Sequence, residues 1–251
     1  MQITTLTMKH LSWFAMLSGV VVLSCLAQPA SAETRLRPKA VVELFTSQGC
    51  SSCPPADALL TSLAEQGDVV ALAYHVDYWD YVGWKDTFGE ADYSDRQRAY
   101  AQSWGSSRIY TPQMVVNGTM AVVGSRRGEV HGAIDEAKLP LPIDVAEEGD
   151  MLTITIAPDP SLSDAVVWLV TYIDRADVAI ERGNNAGKTM AYTQVVTGRQ
   201  VAGVWECRRG ANIKLPIPEV LAHRSTGMAV IVQQERDGLP GPILGAAAFE
   251  R

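Results

Sequence analysis

Residues 48–57 read Gln-Gly-Cys-Ser-Ser-Cys-Pro-Pro-Ala-Asp, and this stretch decides the predicted fold. It follows the apolar run 40–45, which is typical of a buried parallel strand. It precedes residues 58–64, whose leucines recur at helical spacing. A helix N-terminus carries unpaired N–H groups and a partial positive charge, and both favour a thiolate over a thiol. Because thiolates attack disulfides, Cys50 and Cys53 predict a thiol–disulfide centre.

The first 32 residues have the layout of a secretory signal peptide. Lys9 precedes the apolar run 11–26, and residues 30–32 read Ala-Ser-Ala, which predicts cleavage after Ala32. A retained membrane anchor and lipoprotein processing at Cys25 are the alternatives, and both fit the pattern less well. We therefore expect a periplasmic or secreted protein with no membrane span once the signal is removed.

Composition limits the function classes. Removing the signal takes one charged residue and moves the formal net charge from −7 to −8. An acidic chain lacks the excess of positive charge that binds nucleic acid or an anionic membrane. Cleavage at residue 32 leaves Cys50, Cys53 and Cys207, too few for a disulfide framework, so these cysteines need a local explanation.

The first half alternates between strand and helix. Helical patterns follow each of the apolar runs 40–45 and 69–74, which predicts a right-handed parallel unit. The dipeptide at 117–118 is Asn-Gly, a strong signal for a hairpin between strands 113–116 and 119–124. With further helices at 92–104 and 129–138, the predicted order is β-α-β-α-β-β-α.

The second half changes its period. Residues 139–142 read Leu-Pro-Leu-Pro and mark a boundary, and beyond them residues 152–156 alternate between apolar and polar. Short strand candidates separated by turn residues predict a β-sandwich; they span residues 166–173, 190–196, 211–215, 228–233 and 243–249. The predicted domains are thus 33–140 and 141–251. The segment 183–189 resembles a phosphate-binding loop but is one residue short and precedes a strand, so we interpret it as a plain loop.

The first half resembles the thioredoxin fold, through the Cys-x-x-Cys after the first strand and the Thr-Pro before the third. In more detail, the chain resembles a secreted bacterial family labelled domain of unknown function 1223, over the whole mature chain. The resemblance implies a thioredoxin-like α/β domain in which the Thr111–Pro112 bond is cis and faces the cysteines. The segments that carry the resemblance are 43–57, 75–79 and 110–118.

In such a sheet the C-terminal ends of the parallel strands meet at one edge, where reactive groups gather. Cys50 would be the more exposed, attacking thiolate, and Cys53 would resolve the mixed disulfide. Pro112 would shape the substrate surface, and His75 or Asp77 would take up the proton of Cys53. The expected partners are protein thiols or disulfides; no cofactor is expected, and the oligomeric state is left open.

Two other functions stay open at this point. Cys50, Cys53 and His75 could bind a soft metal such as Cu(I) or zinc, since thiolate and imidazole suit both. Alternatively, the cysteines form an inert structural disulfide in a non-catalytic interaction protein. Pro54 weakens the redox interpretation, because it is expected to push Cys53 away from α geometry and so to leave Cys50 less acidified.

Two further features have more than one interpretation. The aromatic group that follows the second strand either caps the core or forms a substrate-contact surface; its members are Tyr78, Trp79, Tyr81 and Trp84. Cys207 is interpreted as a lone buried thiol, with a mixed-disulfide partner as the alternative.

Overall fold

The structure is a computed structural model and describes residue 2, residues 37–221 and residues 224–250. The predicted signal peptide, its cleavage site and Cys25 lie outside the described residues. Residues 37–221 and 224–250 belong to one compact unit. Within that part of the chain, no helix is both long enough and apolar enough to cross a membrane.

Strands account for most of the regular structure. The strands are β1 Ala40–Thr46, β2 Val69–His75, β3 Gln113–Val116, β4 Met120–Val123, β5 Asp144–Glu148, β6 Met151–Ile156, β7 Ala165–Ala179, β8 Thr189–Trp205, β9 Ala211–Pro216, β10 Gly227–Arg236 and β11 Leu239–Glu250. The helices are α1 Pro54–Gln66, α2 Ala91–Ser103, α3 Arg127–Glu136 and α4 Ile217–Val220.

Among the described residues, eight strands form one mixed sheet in the order β11-β10-β7-β8-β2-β1-β3-β4. Strand β1 pairs in parallel with β2 and antiparallel with β3. Strand β8 joins β2 in parallel through the pair Ala73 and Val195, and β7 and β10 continue the sheet antiparallel. Strands β5, β6 and β9 form a smaller sheet.

The predicted fold class is therefore wrong. We expected a thioredoxin-like α/β domain followed by a separate β-sandwich, but strands from both halves of the chain share the eight-stranded sheet. The protein is mostly β, and four α-helices occur in the described part of the chain. The physical reason is that β8, from the second half of the chain, pairs with β2 and so joins strands of both halves into one sheet.

Apolar side chains pack on both faces of this sheet. On one face, α1 packs on β1 and β2 and α3 packs on β3 and β4. Leu44 of β1, Leu60 of α1 and Ile134 of α3 are among the buried side chains there. The other face packs under α2 and against β10 and β11 through Phe45, Tyr74 and other buried side chains. Burial on both sides explains why β1 is a nearly continuous apolar run.

One charged residue interrupts that run. Glu43 is fully buried in β1 and forms an ion pair with Arg96 of α2. The Arg96 guanidinium also donates to the hydroxyl of Tyr100 in the same helix and to the side-chain carbonyl of Gln233 in β10. The Tyr100 hydroxyl donates to Glu43, and the Gln233 amide donates to Tyr100 at 2.9 Å. This buried network joins the first and second halves of the chain, because Gln233 lies 190 positions after Glu43.

Candidate active site

Cys50 and Cys53 form a disulfide at the start of α1. The Cα atoms are 5.4 Å apart and the S–S distance is 2.11 Å. Cys53 is the N-cap residue of α1 and has α-helical angles, φ −78° and ψ −33°, so the expected displacement from α geometry by Pro54 is wrong. Proline fits the first helical position because its missing N–H has no partner there in any case, and the preference of the residue before it is only a bias.

Both cysteines are fully buried, although they lie in a turn at the end of a strand. The two residues between them, Ser51 and Ser52, are exposed. Cys50 is therefore as buried as Cys53, and the expected difference in exposure is not present. Any exchange reaction at this disulfide needs a movement that uncovers a sulfur atom.

Asp57 lies one helical turn after Cys53, on the same face of α1, and its backbone N–H donates to the Cys53 carbonyl at 3.1 Å. Its carboxyl is buried: Oδ1 accepts a hydrogen bond from the Thr46 hydroxyl at 2.7 Å, and Oδ2 has no protein partner. Burial raises the pKa of Asp57 to about 7, against the lowering effects of the Thr46 hydrogen bond and of His75. Asp57 can thus hold or release a proton near neutral pH beside the disulfide.

His75 lies at the end of β2, beside Thr46 of β1 in the strand register. Its Nδ1 is 2.9 Å from Asp86 Oδ2, and its Nε2 is buried with no hydrogen-bond partner. Burial opposes ionisation of Asp86, but His75 and the backbone N–H groups of Gln48 and Phe88 outweigh it and lower the pKa of Asp86. His75 and Asp86 thus form a buried pair close to Asp57, whose charge they influence.

The structure places Asp77 beside α2. Its carboxylate accepts a hydrogen bond from the Ser94 hydroxyl at 2.5 Å, and Ser94 lies in the first turn of α2. The Asp77 backbone N–H donates to the same hydroxyl. These contacts tie the end of β2 to α2, and the described contacts do not bring Asp77 to the cysteines.

Pro112 is buried, and its peptide bond with Thr111 is cis, as the resemblance implied. The Pro112 carbonyl accepts from Gly124, where an added Cβ would lie 3.0 Å from Ala56 in the first turn of α1. Trp79 connects the same loop to the cysteine segment: its indole N–H donates to Thr111 at 2.7 Å, and its Cβ would lie 3.2 Å from a Cβ at Gly49. The structure thus brings Pro112 to the start of α1.

The members of the aromatic group differ in burial and in hydrogen bonding. Tyr78 and Trp84 donate to Gln97 and Gln48, and Trp79 donates to Thr111, so these three side chains stabilise the fold around the site. Tyr81 is 80% exposed and stacks on Trp79 with ring centroids 6.2 Å apart. One aromatic ring beside the cysteine segment is therefore available to a partner.

A second segment covers the disulfide from the side. In the turn between β7 and β8, the side-chain amide of Asn185 donates hydrogen bonds to the carbonyls of Gln48, at 2.9 Å, and of Cys50, at 3.1 Å. The neighbouring Asn184 amide donates to the carbonyl of Gly49 at 3.2 Å. The sequence predicted this segment, 183–189, to be a plain loop, and it lies at least 130 positions along the chain from the cysteines.

The metal alternative gains no geometric support. Among the described residues, no group of three or more His, Cys, Asp or Glu side chains is arranged to hold a metal ion. Cys50 and Cys53 are joined to each other, and the described partner of His75 is Asp86. Cys207 is half-buried, and its hydrogen bond with Asp164, more than burial, raises the pKa of its thiol.

The fold and the site together define a mixed-sheet protein with a covered Cys-x-x-Cys disulfide beside buried ionisable groups. The sequence matches the model of a family described as protein of unknown function (DUF1223) over residues 41–233, and the chain belongs to that family. The chain is 34% identical to a protein of known crystal structure from Agrobacterium tumefaciens, with a TM-score of 0.77. That match covers 85% of this chain and 95% of the other.

A second solved structure shares the fold at low identity. HBP35 of Porphyromonas gingivalis is 13% identical to this chain, with a TM-score of 0.56 over 86% of this chain and 76% of its own. At that identity the likeness concerns the fold alone. No curated protein matches the sequence significantly.

Proposed function

We propose that this protein is an exported thiol–disulfide oxidoreductase that reacts through Cys50 and Cys53. The observation that carries the proposal is the disulfide at the N-terminus of α1, one turn before the buried carboxyl of Asp57. The free N–H groups of a helix start stabilise a thiolate, and a group with a pKa near 7 can exchange a proton with a thiol at neutral pH. Export is supported by the N-terminal sequence pattern and by the persistence of disulfides in oxidising compartments.

In the proposed reaction, a partner dithiol reduces the disulfide in two steps. A partner thiolate attacks one sulfur of the pair; the S–S bond breaks, and the other sulfur leaves as a thiolate that takes up a proton. The second partner thiolate then attacks the mixed disulfide and releases the second cysteine. Two electrons and two protons pass from the partner to Cys50 and Cys53, and the partner becomes the disulfide. The reverse sequence oxidises a partner.

Within this scheme, Asp57 is the proton carrier, in place of the predicted His75 or Asp77. It lies on the same helix face as Cys53, and its Oδ2 is buried without a protein partner. His75 and Asp86 tune the charge on Asp57. Trp79 borders the cysteine segment, and the exposed ring of Tyr81 stacks on it; these two rings form the proposed contact surface for a polypeptide substrate. Pro112 is buried and follows Thr111, which accepts a hydrogen bond from Trp79.

A second candidate function is supported by the burial of the disulfide. Both cysteines have no exposed surface, as expected for a structural disulfide in a non-catalytic interaction protein. The two functions predict different reduction potentials. Catalytic pairs lie at roughly −270 to −120 mV, whereas structural disulfides lie below about −300 mV.

A redox titration separates these candidates. Purified protein carrying Cys207→Ser, which removes a third thiol, is equilibrated in dithiothreitol and glutathione buffers, and the free thiols are trapped and counted by mass. The proposal expects a reversible two-electron couple in the catalytic range, lost in Cys50→Ser and in Cys53→Ser, together with turnover of a disulfide substrate such as insulin. A potential below about −300 mV without turnover would assign the disulfide to structure.

A further inference from the structure

The turn between β7 and β8 is a closed loop that lies over the cysteine segment. Its ends are joined by backbone hydrogen bonds between Ile180 and Lys188 at 2.9 Å and between Gly187 and Ile180 at 2.7 Å. We define the cover loop as residues 181–187, between these ends. Because its base is closed, the loop can move as a unit while the β7–β8 pairing below it stays intact.

Two side chains hold the cover loop on the cysteine segment. Asn184 and Asn185 donate to three successive backbone carbonyls, those of residues 48, 49 and 50. Asn185 is fully buried, and its own carbonyl oxygen accepts from the Lys188 ammonium at 2.9 Å, which fixes the orientation of the amide. A buried amide whose donors and acceptor are all used marks a specific contact and not a chance approach.

The far side of the cover loop rests on the segment that follows β2. Gly183 has φ +78°, and an added Cβ there would lie 3.1 Å from the Cβ of Trp84, whose indole donates to Gln48. The loop, Trp84 and Gln48 therefore enclose the Cys50 side of the disulfide. This enclosure accounts for a Cys-x-x-Cys turn with exposed serines and fully buried cysteines.

A narrower route remains beside the first turns of α1. A groove of about 550 Å³ is lined by Pro54, Asp57 and Thr61 on one side and by Lys188 and Met190 on the other. Its volume lies within the range of small-molecule sites. Neither cysteine lines this groove, but Pro54, the neighbour of Cys53 in sequence, does. A small dithiol in the groove therefore lies close to the covered disulfide and needs a smaller movement to reach it than a protein partner does. A protein surface is too large to enter.

We propose that the cover loop, held by Asn185, determines which thiols reach the disulfide: small thiols react readily, and protein dithiols react only after the loop is displaced. The inference rests on the proposed exchange reaction for its biological use, although the access that it describes is a property of the disulfide alone. Displacement frees three neighbouring carbonyls, and the backbone N–H groups of an extended polypeptide partner can bond to them. Asn185 is in this sense a specificity-determining residue, and it takes no part in the bond exchange.

The test compares two reductants on the same disulfide. Stoichiometric reduction of the Cys207→Ser parent and its Asn185→Ala variant is followed by thiol trapping, once with dithiothreitol and once with reduced thioredoxin as the protein dithiol. Losing two hydrogen bonds of ordinary strength raises the population of displaced loop by roughly tenfold or more. The ratio of the protein-dithiol rate to the small-dithiol rate should therefore rise about tenfold in Asn185→Ala.

A matched control separates loop displacement from general destabilisation. The Asn117 side chain also makes two hydrogen bonds, to the Val41 N–H at 2.7 Å and the Lys138 carbonyl at 3.1 Å, at the opposite end of β1 from the cysteines. Asn117→Ala should lower global stability and leave the ratio of rates unchanged. The milder variant Asn184→Ala, which loses one hydrogen bond, should raise the ratio by a smaller factor. It replaces Asn185→Ala in the test if that variant does not fold.

An unchanged ratio in folded Asn185→Ala and Asn184→Ala overturns the inference, and so does an equal rise in Asn117→Ala. Neither result depends on turnover. A reduction potential in the structural range together with a raised ratio refutes the proposed function and supports the role of the cover loop. A potential in the catalytic range together with an unchanged ratio supports the proposed function and refutes the role of the cover loop.

Discussion

Replacing Asp57 with asparagine should change how the stability of this protein depends on pH. The carboxyl is fully buried, accepts one hydrogen bond from Thr46 and has a pKa of about 7. Asparagine keeps the acceptor for Thr46 and cannot ionise. The difference in unfolding free energy between Asp57→Asn and the wild type therefore isolates the cost of the buried charge.

The magnitude follows from the two pKa values of the group. Asp57 has a pKa of 3.8 in the unfolded chain and about 7 in the folded protein. Because the folded value is the higher one, the contribution of the group to stability is fully present below pH 3.8 and is lost as the pH rises through 7. The two pKa values differ by about 3 units, and at 1.36 kcal/mol for each unit the loss between pH 4 and pH 8 is about 4 kcal/mol.

The assay is urea unfolding of the oxidised protein at several pH values between 4 and 8. Asp57→Asn also changes the unfolding free energy by an amount that does not depend on pH, because its amide N–H₂ lies where Oδ2 had no partner. The informative quantity is therefore how the difference between variant and wild type changes with pH. Relative to the wild type, the variant should gain about 4 kcal/mol across this range. Asp92→Asn, which changes an exposed aspartate in the first turn of α2, should show a difference within about 0.5 kcal/mol at every pH. A difference for Asp57→Asn that stays constant from pH 4 to pH 8 would refute the assignment of a buried, protonated carboxyl.

Two further predictions concern buried pairs of ionisable side chains. Asp86→Asn removes the partner of His75 and should cost roughly 3 kcal/mol of unfolding free energy at pH 7. Because the folded pKa of Asp86 is lowered, its contribution is lost as the pH falls, so an equal cost at pH 3 and pH 7 in urea titrations contradicts this reasoning. Glu43→Gln leaves the Arg96 charge uncompensated and should also cost roughly 3 kcal/mol, while the double variant Glu43→Gln/Arg96→Met should recover part of the loss. A cost below about 1 kcal/mol for the single variant, measured by urea unfolding, would show that the pair is not a buried ionic contact.

Local elements could be predicted from the sequence because their signals are local. The run at 40–45 predicts β1, the paired prolines mark the first positions of α1, and Asn-Gly at 117–118 marks the turn between β3 and β4. Period-two alternation found strands in the second half near their observed positions. Each of these signals depends on neighbours within a few positions along the chain.

These local signals do not predict which strands pair. Strand β8 pairs with β2 through Ala73 and Val195, which are more than 120 positions apart. The sequence of neither strand indicates which other strand it pairs with. Two separate strand candidates, 166–173 and 190–196, were predicted where β7 and β8 lie, but their pairing was not, and the observed strands extend well beyond both. The fold class failed for this reason.

The candidate site was predicted in part. The Cys-x-x-Cys spacing identified the disulfide, and the strand ends placed His75 near it. Asp57 was not among the predicted site residues, although its spacing of four from Cys53 places it on the cysteine face of α1. The contributions of Asn185 and Asp86 depend on tertiary contacts, and no short-range pattern indicates them.

The network of Glu43, Arg96 and Gln233 has a consequence for the order in which the molecule is completed. A growing chain emerges from its N-terminus, so the carboxylate and the guanidinium are both available long before the amide of β10. Until that amide arrives, the guanidinium lacks one of its acceptors, and the strands that close the central sheet are still absent. The polar centre of the sheet is therefore completed only after β10 has been synthesised, about 190 positions after the strand that carries Glu43.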